Sequence, residues 1–418
     1  MVKNTSKLGT ESYKGVRDFF PEDMAVQKHI FEIWSKTVEK FGYSEYGASV
    51  LEPAELYKAK SGEEIINEQT YTFMDRGDRE VTLRPEMTPT VARMVAARKR
   101  ELGMPIRWYS IPNLFRYERP QKGRLREHWQ FNVDMFGLSG PEADIEIISI
   151  GYEIMKAFGA SDSDFEIKVS SRKLMNAIFA DYYELDDMQS KALQKLIDKK
   201  SKMPAEVFRG EAEKIVGKPF EFLNLSSNSD EYKEAMAFPT IKAAKLELDL
   251  IIDALKAKGI SNVAYDETII RGFDYYTGTV FEIFDTNPEN NRAMFGGGRY
   301  DDLLSLFSDE SLPAFGFGMG DVTIRDFLES RNLLPKYVSP AEIMICIMSK
   351  DQAAYADTVA NELRSQGKNI AVNYTYRPIG DQIKSAVKQS IPKCIVIGED
   401  EVQSKTYNIR ETSGESKE

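Results

Sequence analysis

Residues 128–135, HWQFNVDM, alternate without interruption: Trp129, Phe131, Val133 and Met135 fall on one side, and His128, Gln130, Asn132 and Asp134 on the other. Successive side chains of a β-strand point to opposite faces, so this run predicts a strand with one face in a core and the other polar. The preceding IRWYSIPNLFRYE also has strand character, and the connecting RPQKGRLRE is basic, which gives a long antiparallel hairpin. A solvated outer face is the ordinary reading of such a polar row. Here the first strand ends on Arg116 and Glu118, and the loop adds Arg119, Lys122, Arg124 and Arg126. Guanidinium forks match phosphate oxygens bidentately, so the polar face beside the loop is also a candidate floor for a phosphorylated ligand.

The rest of the chain must supply partners for that sheet. YTFMDRGDREVTLRP predicts a second hairpin turning at Arg76 to Asp78, and TPTVARMVAARKREL a helix with Thr88 as N-cap and Pro89 at the first helical position. From about 171 to 260 a stretch rich in Lys, Glu, Ala, Leu and Met at helical spacing reads as a helical insertion. RGFDYYTGTVFEI, residues 271–283, reads as a strand, with Arg271, Phe273 and Tyr275 on one face and Asp274 and Tyr276 on the other. A strand arginine is pre-positioned to stabilise developing charge, although, from this strand taken alone, a structural ion pair of Arg271 with Asp274 or Glu282 is the better account. FGGGRYDD and GFGMGD lack the spacing of a dinucleotide fingerprint. Their glycines suit a close approach of another chain or a flat ligand to the backbone. After LPKYVSP, strand-like and helical segments alternate to the end, predicting a small domain with a mainly parallel sheet. The expected domains are therefore 1–330, a linker 331–339, and 340–418.

Two histidines, His29 and His128, exclude a multi-histidine metal site. Cys346 and Cys394 stand far apart in apolar runs, which argues against a disulfide framework or zinc cluster. A net charge of −11 supplies no general field for nucleic acid, though local cations can still bind a polyanion. No apolar run approaches the roughly 18 to 20 residues that cross a bilayer, so the expectation is a soluble, cytoplasmic chain without membrane contact.

LRPEMTPTVAR, FRYERPQKGRLREHWQFNVDMFG, RGFDYYTGTVFEI, FGGGRYDDL and AFGFGMGD, in this order, resemble histidyl-tRNA synthetases from about Gly15 to the end of the chain. The resemblance implies an α+β fold: a class II synthetase antiparallel sheet with flanking helices, a helical insertion and a C-terminal α/β anticodon-binding domain. It implies activation of L-histidine by ATP, with Mg2+, to histidyl-adenylate, followed by transfer to the 3' end of tRNA(His). No tightly bound cofactor and no protein-held metal are implied, and a homodimer is. Arg116 and Arg271 would grip the α-phosphate, the strand arginine supplying charge that relatives obtain from a metal. Glu86, Thr88 and Gln130 would surround the substrate ammonium. Asp134 and Tyr276 would hold the two imidazole nitrogens, with Tyr275 beside them. Glu118, Arg124 and His128 would serve ATP, and Arg119 and Gln121 the acceptor end of tRNA.

Four positions depart from the family pattern. The arginine usual in the last class II motif is Thr323, and Arg325 lies about 200° further round the helix. Ser49 replaces a proline of the first motif, His128 stands at an adenine-stacking phenylalanine, and Asp134 at a frequent glutamate. Two other functions compete with the ligase. A catalytically silent paralogue, such as the regulatory subunit of ATP phosphoribosyltransferase, predicts loss of the strand arginine and of the last domain. A plain nucleotide-binding scaffold leaves Asp134 and Tyr276 without a purpose.

Overall fold

The computed structural model describes residues 9–58, 69–119, 121, 123–197, 199–200, 203–218, 220, 230–269, 275–290, 292–308 and 311–412. The chain divides into two compact units, the first ending at Leu334 and the second beginning at Pro335.

The larger unit is mixed α+β, built on a sheet whose strands are β1 (Ser44–Glu45), β5 (Ile106–Ser110), β6 (Asn113–Phe115), β7 (Glu127–Phe136), β8 (Phe165–Ser171), β9 (Val263–Tyr265), β10 (Thr279–Asp285), β11 (Ala293–Arg299) and β12 (Ala314–Gly320). Their order across the sheet is β1-β5-β7-β12-β11-β10-β8-β9, with β6 also on β7. The edge strands β1 and β9 run parallel to their neighbours, and the other pairs are antiparallel. The predicted rising strand of the long hairpin is split into β5 and β6 at Ile111-Pro112, because proline has no N–H for the ladder. The register survives the break: Ser110 faces Asn132 and Asn113 faces Trp129. A separate three-stranded sheet holds β2 (Leu51–Pro53), β3 (Tyr71–Met74) and β4 (Glu80–Leu83). Its β3–β4 turn closes on Asp75, whose Oδ1 accepts from the backbone N–H of Gly77 and of Arg79.

One face of the main sheet is core. The Pro21–Glu39 helix presents Val26, Ile30, Trp34 and Val38, spaced by four, and Trp34 stacks on Phe131 with ring centroids 5.3 Å apart. The Pro141–Ala157 helix adds Ile147, Ile150 and Ile154 to the same cluster. The odd-numbered side chains Phe131, Val133 and Met135 of β7 join this core, so the even-numbered ones face away from it. Between β8 and β9 the chain is helical at Arg172–Ala177, Asp187–Ile197, Ala205–Val216, Asp230–Met236 and Pro239–Ala257, with one π-turn at Ile178–Tyr182.

Two local expectations are corrected. The helix after β4 spans Thr88–Arg98 with Met87 as N-cap, so Thr88 is its first helical residue and makes no capping bond. Of the described residues of RGFDYYTGTVFEI, those from Thr279 onward lie in the sheet. Tyr275 to Gly278 precede the strand, tied to the end of β11 through Thr277 N–H to the Arg299 carbonyl at 2.8 Å. Residues 270–274, Arg271 included, lie outside the described residues.

In the smaller unit β13 (Ile343–Ile347), β14 (Ile370–Asn373) and β15 (Lys393–Ile397) run parallel in the order β14-β13-β15, and β16 (Ile409–Glu411) pairs antiparallel with β15. Ile343, Ile345 and Ile347 face the Ala353–Ser365 helix, while Met344 and Cys346 face the Ile379–Lys388 helix. The sheet is thus covered on both faces, as parallel sheets require. Cys346 and Cys394 are buried free thiols. No described helix is long and apolar enough to cross a membrane.

Candidate active site

The polar face of β7 floors a cavity lined by Glu86, Thr88, Arg116, Gln130, Asn132, Tyr275, Tyr276, Tyr300 and the backbone of Gly296, Gly316 and Gly318. Each wall has a local cause. Glu86 ends the turn after β4 and is buried; the Tyr275 hydroxyl donates to its Oε2 at 3.3 Å. Arg116 continues from β6, and its Nε donates to the Pro85 carbonyl at 2.8 Å, which fixes the guanidinium beside Glu86. Thr88, freed from capping, faces the Tyr275 hydroxyl. Tyr275 and Tyr276 sit with ring centroids 4.9 Å apart in the loop before β10. They therefore share the cavity instead of facing opposite sides of a strand.

Asp134 lies beneath this group, 3 % exposed, between its sheet neighbours Trp108 and Gly316. Tyr300 donates its phenolic hydrogen to Oδ1, while Oδ2 is buried with no hydrogen-bond partner. Burial pushes the Asp134 carboxyl up to about 7, against the opposing pull of the Tyr300 hydrogen bond. A side chain at Gly316 is impossible here: its Cβ would stand 2.4 Å from Asp134 Oδ1 and 2.6 Å from the Val133 carbonyl oxygen. At Gly298 a Cβ would come within 2.8 Å of Tyr276. The glycine runs thus let the tyrosines and the carboxylate close on the backbone.

Tyr300 is the residue that sequence reasoning missed. It lines the cavity, holds Asp134 and packs edge-on to Tyr275 with centroids 5.9 Å apart. FGGGRYDD resembles an ordinary turn, and only the strand order β7-β12-β11 reveals that Tyr300 reaches across to β7. The adjacent Arg299 is structural: it forms a buried pair with Asp144 and donates to the Leu138 and Gly140 carbonyls.

His128 lies two residues before Gln130 on the same strand, and burial, then Arg116, then Arg17, push its imidazole down to about 3. The ring is consequently neutral at physiological pH. In the hairpin loop Arg124 stands 3.7 Å from Glu118 and is largely exposed, as are Arg119 and Gln121. Gln121 and Arg124 close the loop through reciprocal backbone hydrogen bonds. Arg126, grouped with the loop cations by sequence, packs its guanidinium over the Tyr117 ring at 4.0 Å and donates to the Glu118 carbonyl. Lys122 lies outside the described residues. At the departing positions, the Thr323 hydroxyl donates to the Met294 and Gly320 carbonyls, and Arg325 pairs with Asp23. Ser49 Oγ accepts from the Leu51 N–H, and its carbonyl accepts from buried Arg84.

Chemically, a buried carboxylate beside an arginine, a row of neutral acceptors, and a second carboxylate with a phenol at the far end suit a small zwitterion with a polar ring. Residues 15–322 match the family model of histidyl-tRNA synthetase, and residues 342–418 that of the anticodon binding domain. The histidine–tRNA ligase of Leptospira biflexa is 42 % identical over 413 residues, covering 97 % of this chain and 94 % of that protein. A histidyl-tRNA synthetase from a Nostoc species shares the fold with a TM-score of 0.76 at 22 % identity, over 97 % of this chain and 95 % of the other. A Bacillus halodurans structure described as an ATP phosphoribosyltransferase regulatory subunit/histidyl-tRNA synthetase shares it with a TM-score of 0.73 at 22 % identity, over 91 % and 97 % of the two chains.

Proposed function

The chain belongs to the histidyl-tRNA synthetase family and is a histidine–tRNA ligase; from that premise we propose how its residues divide the reaction. Histidine enters with its ammonium at Glu86, Thr88 and Gln130, where a carboxylate and neutral acceptors match a cation. Its imidazole meets Asp134 and Tyr276, with Tyr275 between the two ends. Tyr300 holds Asp134 in place, so the carboxylate's free oxygen remains for the ligand. Amino acids without two ring nitrogens leave Asp134 unpaired in a buried site, a penalty of roughly 1–3 kcal/mol or more for a charged group.

ATP, accompanied by Mg2+ as part of the substrate, lies along the polar face toward the hairpin loop. The histidine carboxylate attacks the α-phosphorus and pyrophosphate leaves, while negative charge builds on the α-phosphate oxygens. Arg116, locked against Pro85, meets that charge without reorganisation. Arg271 joins it on the strength of the family resemblance. His128 offers adenine a flat uncharged ring, and Glu118 and Arg124 serve the nucleotide's base and distal phosphates respectively. Arg119 and Gln121, exposed on the loop, meet the acceptor end of tRNA(His), and the smaller unit reads the anticodon. A homodimer is supported by the apolar, exposed Leu51, Phe73 and Met74 of the three-stranded sheet and Val50 just before it, an arrangement suited to a second copy.

The observation that carries this reading is the convergence of Glu86, Thr88, Arg116, Gln130, Tyr275 and Tyr276 on one cavity above the Tyr300–Asp134 pair. Histidine-dependent exchange of pyrophosphate into ATP by the purified protein tests it. Exchange with histidine and not with the other amino acids is expected. Absence of histidine-dependent exchange would instead favour the catalytically silent paralogue.

A further inference from the structure

The motif position that normally carries an arginine holds Thr323, whose hydroxyl is committed to two backbone carbonyls. Arg325 is paired with Asp23, and Arg126 is occupied by Tyr117 and the Glu118 carbonyl. Among the described residues Arg17, after Arg116, is the second planar cation that acts on His128. Arg17, 21 % exposed at its side chain, donates from Nη2 to Asp321 Oδ2 at 2.6 Å, and its Nε is buried with no partner. Asp321 is fully buried; it also accepts from Gln27, and its other oxygen accepts from the Trp129 N–H at 3.0 Å, next in sequence to His128. The segment carrying Arg17 is held in turn by the Arg126 N–H, which donates to the Gly15 carbonyl at 2.7 Å. The guanidinium is thus fixed in orientation against the strand that bears His128, with its Cζ 4.9 Å from the Phe19 ring centroid.

Arg17 opens onto a cavity that reaches the hairpin loop at Gln121 and Leu125. Its rim carries Asp18, Asp23 and Asp326 against two arginines that are already paired. Such a surface repels polyphosphate. It suits a flat neutral heterocycle, because guanidinium planes stack on π-systems and are weakly hydrated. Resting on the nucleotide site described above, we propose that Arg17 is an adenine-binding residue, packing its guanidinium plane on the purine ring of ATP beside His128. The triphosphate is left to the hairpin arginines.

The test is Arg17→Lys, which keeps a cation for the buried Asp321 and removes the plane, together with Arg17→Gln, which keeps a planar donor and removes the charge. In pyrophosphate exchange both should raise the KM for ATP, by about fivefold to tenfold for Lys, and leave the KM for histidine within about twofold. Calorimetric titration of ATP in the absence of histidine should show the same weakening. Inhibition by inorganic tripolyphosphate, which has no base, should be unchanged. An ATP KM within about twofold of wild type in both variants overturns the assignment, as does a loss of tripolyphosphate inhibition parallel to the loss of ATP. So does a fall confined to kcat. Failure of the wild-type protein itself to exchange pyrophosphate with histidine would sink the parent reading and this one together, and is read before any variant.

Discussion

Asp134→Asn separates what the empty pocket endures from what the filled one gains. In the folded protein Asp134 keeps one oxygen on Tyr300 and leaves the other buried and unpartnered, and its carboxyl rises from an ordinary 3.8 to about 7. A rise of that size corresponds to about 4 kcal/mol of unfavourable free energy once the group is ionised. The sign follows from proton linkage. The folded chain holds this proton more tightly than the unfolded one, so the contribution to stability is full below 3.8 and is lost as pH climbs to about 7. An asparagine is uncharged throughout and escapes the loss. Measured by denaturant unfolding without histidine, the stability of Asp134→Asn relative to wild type should therefore improve by roughly 3 kcal/mol between pH 5 and pH 8. At pH 8, where the wild-type carboxyl is ionised, its affinity for histidine, by calorimetry, should fall at least about tenfold because a charge-assisted hydrogen bond is gone. A relative stability that is the same at both pH values would refute the buried, unpaired charge. Unchanged histidine affinity would refute the placement of the imidazole.

Glu86→Gln removes the charge that faces the ammonium and should raise the KM for histidine by about tenfold to a hundredfold, with the KM for ATP little altered; an equal rise in both would point to collapse of the cavity. Arg116→Ala and, from the role the family resemblance gives it, Arg271→Ala should each lower the rate of adenylation by about 10² to 10³ while histidine still binds by calorimetry. Near wild-type exchange in Arg116→Ala would contradict the charge-stabilising role. Because the His128 imidazole is pushed down to about 3, the folded protein resists a proton that the unfolded chain accepts near 6.5. Its contribution to stability is present above 6.5 and fades as pH falls toward 3, by about 1.4 kcal/mol per pH unit. His128→Phe should flatten that acid limb in denaturant unfolding, and an unaltered limb would count against a buried neutral ring.

The antiparallel sheet was legible because successive strand residues face opposite sides and β7 alternates apolar and polar residues from His128 to Met135, even though Asn132 and Asp134 on the polar face are buried as well. Other features were illegible for reasons of competition between local and tertiary preferences. Thr88 has the chemistry of a cap, yet its hydroxyl serves Tyr275, and the N-cap position falls to Met87, which makes no side-chain capping bond. Tyr275 and Tyr276 have high strand propensity, but the chain there follows the end of β11 and enters the sheet only after Gly278. Tyr300 follows a glycine run that erases the alternation by which a face is recognised. The identities around the cavity came from the family resemblance; periodicity alone offered only a polar floor beside a basic loop.

Asp321 is bonded at once to Arg17, to Gln27 of the first helix and to the backbone of β7, and Arg17 is 304 residues away from it along the chain. During translation the ribosome therefore releases the amino-terminal arm long before its anchor exists. Until the final segment of the larger unit emerges, Arg17 and Gln27 must wait without their acceptor. A nascent or nicked chain that stops short of this aspartate would retain the hairpin and its cations and still lack the bolt that fastens the two ends of the unit together.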